Sequence, residues 1–328
     1  MSTQVVIAVD VGGTGIKSAL VTRDHEVVHT ERHATGAERG ADAVAETILA
    51  VATGLAEKAR ADGLVPTAAG IAVPGVIDEH AGVVRYAANL DMHDYPLREL
   101  AEAALGLPVR LGHDVRAGGL AEATLGAGRG LDHVLFMPIG TGIAAAHIVS
   151  GRVLAGAHGA AGEIGHIVVR PGGPRCSCGQ IGCLEAVASA SAVGRRYSAL
   201  AGTTRNAREV AELAQAGDPI AAQVWAETVD ALADGLLTGQ ALFDSELIVV
   251  GGGLAEAGEQ LLAPLREALR GKLTFHREPG IVKALLGDEA GCLGAALLAL
   301  TLVEVDHPTD TPKPVKKAAT RARKKAAA

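Results

Sequence analysis

Three cysteines and one histidine lie close together in the middle of the chain, with a spacing typical of zinc ligands. They are His166, Cys176, Cys178 and Cys183. Three thiolates and one imidazole complete the tetrahedral shell of a structural zinc site, and a set of free buried cysteines is the alternative. The metal does not need the carboxylates at the two ends of this segment, so Glu163 and Glu185 are available to a ligand. The sequence predicts a zinc-braced loop that presents Glu163, His166 and Glu185 to a polar substrate.

Two glycine-rich turns are a second feature with chemical meaning. The tetrapeptide Gly-Thr-Gly-Ile occurs at residues 13–16 and again at 140–143, each time between two apolar stretches. Backbone N–H groups in such turns form concavities that bind phosphates, although an ordinary hairpin is the alternative. Asp10 and Lys17 flank the first turn and favour a clamp for nucleotide phosphates. The repeat also indicates duplication of one strand–turn–strand unit, which implies two related domains facing each other.

A third run of glycines follows an apolar stretch at 246–250 and precedes a helical pattern. Glycine lets a flat group approach the backbone closely. We therefore expect Gly251 and Gly252 to lie beside an adenosine, although such turns are common in α/β proteins.

Composition limits the kind of protein. Hydrophobic residues make up 48% of the 328 residues but aromatic residues only 2%, so the core must consist of aliphatic side chains. No apolar run is long enough to cross a bilayer and the N-terminus lacks a signal-peptide pattern, so we expect no membrane partner. Most of the cysteines belong to the metal pattern, which favours a reducing, cytoplasmic location. The net charge of −7 disfavours nucleic acid as a partner.

Strand-like and helix-like segments alternate along the chain, which indicates an α/β architecture. Val44, Ile48, Val51 and Leu55 recur at helical spacing. Further helices are predicted at about 97–105, 184–200, 207–216, 220–242 and 292–302. Another helix is predicted after the glycine run at 251–253 and should end at about Arg270. From Asp306 to Ala328 the sequence is rich in Lys, Ala and Pro without apolar periodicity, and we predict a disordered basic tail.

Four motifs in this order resemble the ROK family of bacterial sugar kinases and repressors. They are Asp-x-Gly-Gly-Thr-x-x-Lys at 10–17, Gly-Thr-Gly at 140–142, Glu-x-Gly-His at 163–166 and Cys-x-Cys-Gly-x-x-Gly-Cys-x-Glu at 176–185. The resemblance, over about residues 4–302, implies an actin/hexokinase-like (ribonuclease H-like) duplicated α/β fold with an inter-domain cleft. The small domain would comprise 1–112 plus about 292–305, and the larger one 113–291 with the zinc loop 163–185. The strand that precedes the first glycine turn starts at residue 5, so we expect no winged-helix DNA-binding domain.

The resemblance also implies roles for individual residues in transferring the γ-phosphate of ATP to the 6-hydroxyl of a glucose-type hexose. Asp114 would be the catalytic base, although capping of the following helix is the alternative. The implied sugar contacts are Asn89, His113, Asp114, Glu163, His166 and Glu185. The implied contacts to ATP are Asp10, Gly12, Gly13, Thr14, Lys17, Gly140, Thr141, Gly142, Gly251 and Gly252. Asp10 would orient Mg²⁺, and zinc would be structural.

The sequence departs from the family pattern at two positions. His113 stands where family glucokinases commonly have Asn, and Met92 where they commonly have Trp. If Met92 faces the sugar, its flexible side chain leaves room, and His113 changes the donor geometry opposite the sugar hydroxyls. Together the two changes make room for a larger 2-substituent, which favours N-acetylglucosamine over glucose. A sugar-sensing regulator and a polyphosphate-dependent glucokinase are the alternative functions. The family resemblance implies a homodimer or homotetramer.

Overall fold

The strands that begin the chain are apolar on both faces, which is typical of strands buried inside an α/β sheet. The computed structural model describes residues 3–303, and the predicted tail at 306–328 lies outside the described residues. The thirteen strands of this part are β1 (Gln4–Val11), β2 (Gly15–Thr22), β3 (Val27–Ala34), β4 (Val65–Val73), β5 (Val76–Asp78), β6 (Val83–Ala87), β7 (Met92–Tyr95), β8 (Val109–His113), β9 (His133–Pro138), β10 (Ala146–Val149), β11 (Arg152–Val153), β12 (Leu247–Gly251) and β13 (Gly280–Lys283).

Nine α-helices accompany these strands in the described residues. They are α1 (Ala41–Ala61), α2 (Leu97–Leu105), α3 (Asp114–Thr124), α4 (Leu184–Ala188), α5 (Ala190–Ala201), α6 (Ala207–Gln215), α7 (Pro219–Phe243), α8 (Glu259–Lys272) and α9 (Ala290–Leu300). None of the helices within residues 3–303 has the length and apolar character needed to span a bilayer.

Two five-stranded sheets have the same topology. The first has the order β3-β2-β1-β4-β8 and the second the order β11-β10-β9-β12-β13. In each sheet the first strand pairs antiparallel with the next one and parallel with a later one. This equivalence confirms the duplication predicted from the repeated glycine turn. The segment between β4 and α2 forms a separate three-stranded sheet with the order β5-β6-β7.

Helices α3 and α9 pack closely against each other, and both also contact the first sheet. Gly294 in α9 permits this approach, since a Cβ atom there would lie 2.0 Å from the carbonyl oxygen of Ala117 in α3. Next to this contact, at Gly118 and Gly119, α3 packs on β9 and β10 of the second sheet. The pair therefore connects the two sheets, and the predicted domain boundaries within this arrangement stay a prediction.

One predicted helix is in fact two. The apolar pattern at 184–200 continues through Ser189, but this residue has an extended backbone and separates α4 from α5. Its hydroxyl accepts a hydrogen bond from the backbone N–H of Ala192 at 3.1 Å and so caps α5. The single helix predicted here was wrong because a serine cap interrupts the helix without interrupting the apolar periodicity.

Candidate functional site

Asp114 lies at the point where β8 ends and α3 begins. His113 is the N-cap residue of α3, and its Nδ1 accepts a hydrogen bond from the backbone N–H of Arg116 at 3.4 Å. The capping role considered for Asp114 thus belongs to its neighbour. One carboxylate oxygen of Asp114 accepts from the N–H of Val115 at 2.7 Å, and the other is available to a ligand.

The two carboxyl groups predicted to act at the phosphates and at the sugar hydroxyl have unusual pKa values. Burial raises the pKa of Asp114 to about 6. Burial, followed by the negative charge of Asp114, raises the pKa of Asp10 to about 6. Asp10 also packs against the first turn of α9, where a Cβ at Gly291 would come within 2.3 Å of its carboxylate. Carboxyl groups with raised pKa values cluster at functional sites, which favours this region as the candidate site.

The first glycine turn is held together by its own backbone and lies beside Asn89. The N–H of Gly12 donates to the carbonyl of Gly15 at 2.8 Å, and the Thr35 hydroxyl donates to the carbonyl of Gly12 at 2.7 Å. A Cβ at Gly13 would lie 3.5 Å from the Cβ of Asn89. The turn that contains Gly12, Gly13 and Thr14 thus adjoins a predicted sugar contact.

Lys17 faces a protein carboxylate. Its ammonium lies 2.6 Å from Oδ1 of Asp288, in the segment before α9, and Arg32 binds the other oxygen of Asp288 at 2.9 Å. Contact between Lys17 and ATP stays a prediction.

The second glycine turn is joined to the zinc segment by Glu185. The carboxylate of Glu185 accepts a hydrogen bond from the N–H of Ile143 at 3.0 Å. A Cβ at Gly142 would lie 2.5 Å from the same carboxylate, so only glycine fits here without displacing it. The N–H of Gly140 donates to the carbonyl of Gly142 at 2.9 Å. A predicted sugar contact and a predicted phosphate turn are therefore in direct contact.

The four predicted zinc ligands converge as expected. Their ligand atoms all lie within 4.8 Å of one another. The Sγ atoms of Cys178 and Cys183 are 3.7 Å apart, and Sγ of Cys176 is 3.6 Å from Nδ1 of His166. Tetrahedral zinc, with bonds of about 2.3 Å to sulfur and about 2.1 Å to nitrogen, requires separations of about 3.8 and 3.6 Å. The donor set and its spacing fit a zinc ion.

His166 connects this cluster to the acidic residue that precedes it. With Nδ1 directed at the cysteines, Nε2 is the ring nitrogen left for a ligand, and it lies 3.9 Å from the carboxylate of Glu163. Partial burial raises the pKa of Glu163, whereas the positive charge of Arg116 acts in the opposite direction.

One cleft brings predicted phosphate and sugar residues together. Among the residues lining it are Asn89, Thr141, Gly142, His166 and Glu185. The same cleft is lined by residues that sequence reasoning missed, including Arg175, Ser177, Ser189, Ser191 and Arg195. Arg175 could have been suspected from its position directly before Cys176, whereas the residues of α5 belong to no motif. Glu163 lines a neighbouring apolar cavity instead.

Gly251 and Gly252 serve the packing of the chain itself. Gly252 has a φ of 75°, which favours glycine, and a Cβ there would lie 2.5 Å from the carbonyl oxygen of Ile139. At Gly251 a Cβ would lie 2.9 Å from the ring of Phe136. Packing thus accounts for both glycines, and their contact with adenosine stays a prediction.

Met92 does not face the candidate site. Its side chain is fully buried in the core of the N-terminal unit, together with Leu90 and Leu97. The condition of the expectation, that Met92 faces the sugar, is therefore not met, because the strand β7 directs this side chain into the core. His113 is also buried, and desolvation lowers its pKa to about 3, so the imidazole is neutral. Its Nδ1 accepts the capping hydrogen bond of α3 and lies 3.2 Å from Oδ1 of Asp114, and contact between His113 and a sugar stays a prediction.

Known proteins resemble this chain over nearly its full described length. Residues 6–302 match the ROK family. A glucokinase from Thermotoga maritima is 37% identical over 312 residues, which cover 89% of this chain and 96% of the relative. The crystal structure of a ROK hexokinase from Thermus thermophilus has a TM-score of 0.82 at 36% identity, covering 92% of this chain and 99% of that one.

A ROK-family glucokinase from Streptomyces griseus, crystallised with glucose and AMPPNP, has a TM-score of 0.77 at 32% identity. The match covers 90% of this chain and 99% of the Streptomyces griseus chain. These similarities confirm the α/β fold of the actin/hexokinase type. With the motifs in the expected order and the family match spanning both sheets, the chain belongs to the ROK family.

Proposed function

We propose that the chain is an ATP-dependent sugar kinase that transfers the γ-phosphoryl group to the 6-hydroxyl of a glucose-type hexose. The observation that carries this proposal is the shared cleft, in which Asn89, His166 and Glu185 line the same space as Thr141 and Gly142. Hydroxyl-binding side chains and a phosphate-binding turn on one surface are the arrangement that phosphoryl transfer to a sugar requires. The names of the relatives, which include glucokinases and a hexokinase, support the same activity.

In this proposal the protein supplies positioning and one proton acceptor. Asn89, Glu163, His166 and Glu185 bind the sugar hydroxyls, since carboxylates, an amide and an imidazole each offer acceptors or donors in a fixed plane. Asp114 accepts the proton of the 6-hydroxyl as it attacks. The backbone N–H groups of the two glycine turns hold the phosphates. The raised pKa of Asp114 suits a group that must accept a proton and then release it near neutral pH.

Two metal ions belong to the proposal. Zinc, held by His166, Cys176, Cys178 and Cys183, fixes the segment that carries Glu163 and Glu185 and so orients His166 through its Nδ1. Asp10 is the carboxylate that would hold Mg²⁺, which would supply positive charge to the phosphates of ATP.

For the acceptor we propose glucose in preference to N-acetylglucosamine. The argument for a larger 2-substituent depended on Met92 and His113, and both side chains are buried and do not line the cleft. The relatives named as glucokinases support glucose as well.

Formation of hexose 6-phosphate, measured across glucose, N-acetylglucosamine, mannose and N-acetylmannosamine with either ATP or polyphosphate as the donor, tests both statements. We expect kcat/KM for glucose with ATP to exceed every other combination by at least about tenfold. No phosphorylation of any hexose by either donor would contradict the kinase proposal and favour a sugar-sensing regulator. Higher kcat/KM for N-acetylglucosamine would contradict the choice of acceptor alone.

A further inference from the structure

Arg116 is a buried cation two residues beyond Asp114, on the same turn of α3. Only 3% of its surface is exposed. A buried guanidinium is costly unless its donors are paired. Its Nε and Nη2 donate to Oε1 of Glu79 at 3.0 and 2.9 Å, and its Nη1 donates to the carbonyl of Gly159 at 2.9 Å. Arg116 therefore binds two other segments of the chain at once.

Each of the two segments leads to a residue of the proposed sugar site. Glu79 directly follows β5, in the hairpin that continues through β6 to Asn89. Gly159 lies four residues before Glu163 in the segment between β11 and the zinc cluster. One guanidinium thus joins the helix of Asp114, the hairpin that leads to Asn89 and the segment that leads to Glu163.

The two bound segments also touch each other directly. Gly159 has a φ of 73°, and a Cβ there would lie 2.3 Å from the carbonyl oxygen of Ile77 in β5. The segment before Glu163, in the second unit, is therefore seated on the hairpin of the first unit, and Arg116 lies where both meet α3.

The positive charge of Arg116 affects the pKa of the proposed base, Asp114. It lowers the pKa of Asp114, against the larger raising effect of burial. It also contributes to the low pKa of His113, for which burial is the larger cause. The other charged or titratable groups around Asp114 are Asp10, with Lys17 and Asp288 beyond it, then His113, Glu163 and Glu79.

We propose that Arg116 is a positioning residue of the kinase reaction, which holds Asp114 in register with Asn89 and Glu163 through its simultaneous bonds to Glu79 and Gly159. The inference rests on the proposed function and adds to it a residue that does not itself touch the substrate. The guanidinium donates from two nitrogens to Glu79 and from the third to Gly159, and a lysine ammonium does not reproduce this planar geometry. Small displacements of a reacting group from its partner are expensive in rate, about a hundredfold for 1 Å.

Three variants separate the geometry of Arg116 from its charge. Arg116→Lys keeps the charge but loses the fork, Arg116→Met loses both, and Glu79→Gln keeps an acceptor while leaving the charge of Arg116 without its counter-ion. We expect Arg116→Met to lower kcat by about ten- to a hundredfold and to raise KM for hexose, with KM for ATP little changed. Arg116→Lys should lower kcat to an intermediate extent.

The pH profile provides a readout that a merely structural role would not move. Loss of the positive charge in Arg116→Met should shift the acid limb of kcat/KM to higher pH. Glu79→Gln should shift it to lower pH, because the uncompensated cation favours ionised Asp114. The matched control is Arg98→Met, since Arg98 also binds the β5–β6 hairpin, through the carbonyls of His80 and Ala81, but does not bind α3 or Gly159. Arg98→Met should leave kcat and the acid limb unchanged.

Two outcomes would overturn different statements. If the wild-type protein phosphorylates hexose and Arg116→Met keeps its kcat and acid limb, the positioning role is wrong and the ion pair serves stability alone. If the wild-type protein phosphorylates no hexose, the proposed function fails and this inference fails with it. If Arg116→Met does not fold, the two variants cannot be compared, and Glu79→Gln alone tests the proposal. An acid limb of kcat/KM that is unshifted in Glu79→Gln then contradicts it.

Discussion

At the scale of single residues, the carboxyl group of Asp114 is free to act because its neighbour caps the helix. His113 accepts the N–H of Arg116, and Asp114 retains an oxygen for the ligand. We expect Asp114→Asn to lower kcat about a thousandfold, since the amide cannot accept the proton, while hexose still binds. Steady-state kinetics with calorimetric measurement of glucose affinity checks this. Turnover close to that of the wild type would remove Asp114 from the role of base.

The same substitution has an effect on stability whose sign follows from the pKa. Asp114 titrates at about 6 in the folded protein against an ordinary value of 3.8, so its ionised form destabilises the fold. That destabilisation is fully present above pH 6 and disappears as the pH falls below about 4. Asp114→Asn should therefore raise the free energy of unfolding at pH 7.5 by up to about 3 kcal/mol, with no gain near pH 4.

Denaturant unfolding at the two pH values measures this difference. Asp62→Asn is a suitable control, because Asp62 is exposed and pairs with Lys58 on the surface, where ion pairs contribute little. A gain in stability that is equal at both pH values would show that it does not come from the ionisation of Asp114.

At the scale of elements, the segment at 163–185 is the part whose structure should depend most on the proposed zinc ion. Besides the metal cluster, Arg170 anchors it to α7 through Asp230 and Asp234. The connection to the second glycine turn is made by Glu185 and the N–H of Ile143. Loss of the ion should therefore affect the sugar contacts more than the remainder of the fold.

Cys178→Ala tests this dependence, because Cys178 is exposed and its truncation leaves no cavity in the core. We expect the bound zinc measured by mass spectrometry to fall and the dissociation constant for glucose to rise at least about tenfold, while nucleotide binding persists. Cys292→Ala, at a buried cysteine outside the cluster, should retain both zinc and glucose affinity. Unchanged glucose affinity in a zinc-free Cys178→Ala protein would show that the ion is not the brace.

At the scale of the whole molecule, the contact between α3 and α9 holds the two sheets in one arrangement. The carbonyl oxygen of Ala117 occupies the space where a side chain at residue 294 would begin. Gly294→Ala should therefore force the helices apart and lower the free energy of unfolding by about 1–3 kcal/mol.

Gly54→Ala is the matched control for Gly294→Ala. Gly54 lies within α1 with open space around it, so an added methyl group meets no neighbour. Alanine should stabilise this helix by about 0.5–1 kcal/mol. Opposite signs for the two substitutions in thermal unfolding would verify the close contact, and a stabilising Gly294→Ala would refute it.

The sequence by itself determined the features whose chemistry is encoded over short spacings. The four predicted zinc ligands lie within eighteen residues, and the two glycine turns each lie at the end of an apolar strand, so local geometry alone brings their groups together. Repetition of the turn predicted the shared topology of the two sheets, because equal strand–turn–strand patterns pair in equal ways. The misread helix at 184–200 shows the limit of periodicity, which does not register a cap.

Tertiary structure decided which distant residues meet. Asn89 adjoins Gly13, Glu185 binds the turn at 140–143, and Met92 points into the core and away from the cleft. The contacts of Arg116 with Glu79 and Gly159 join segments 37 and 43 residues away along the chain. No local pattern encodes such contacts, because they depend on how the sheets, hairpin and helices pack together, and packing is a property of all their buried surfaces at once.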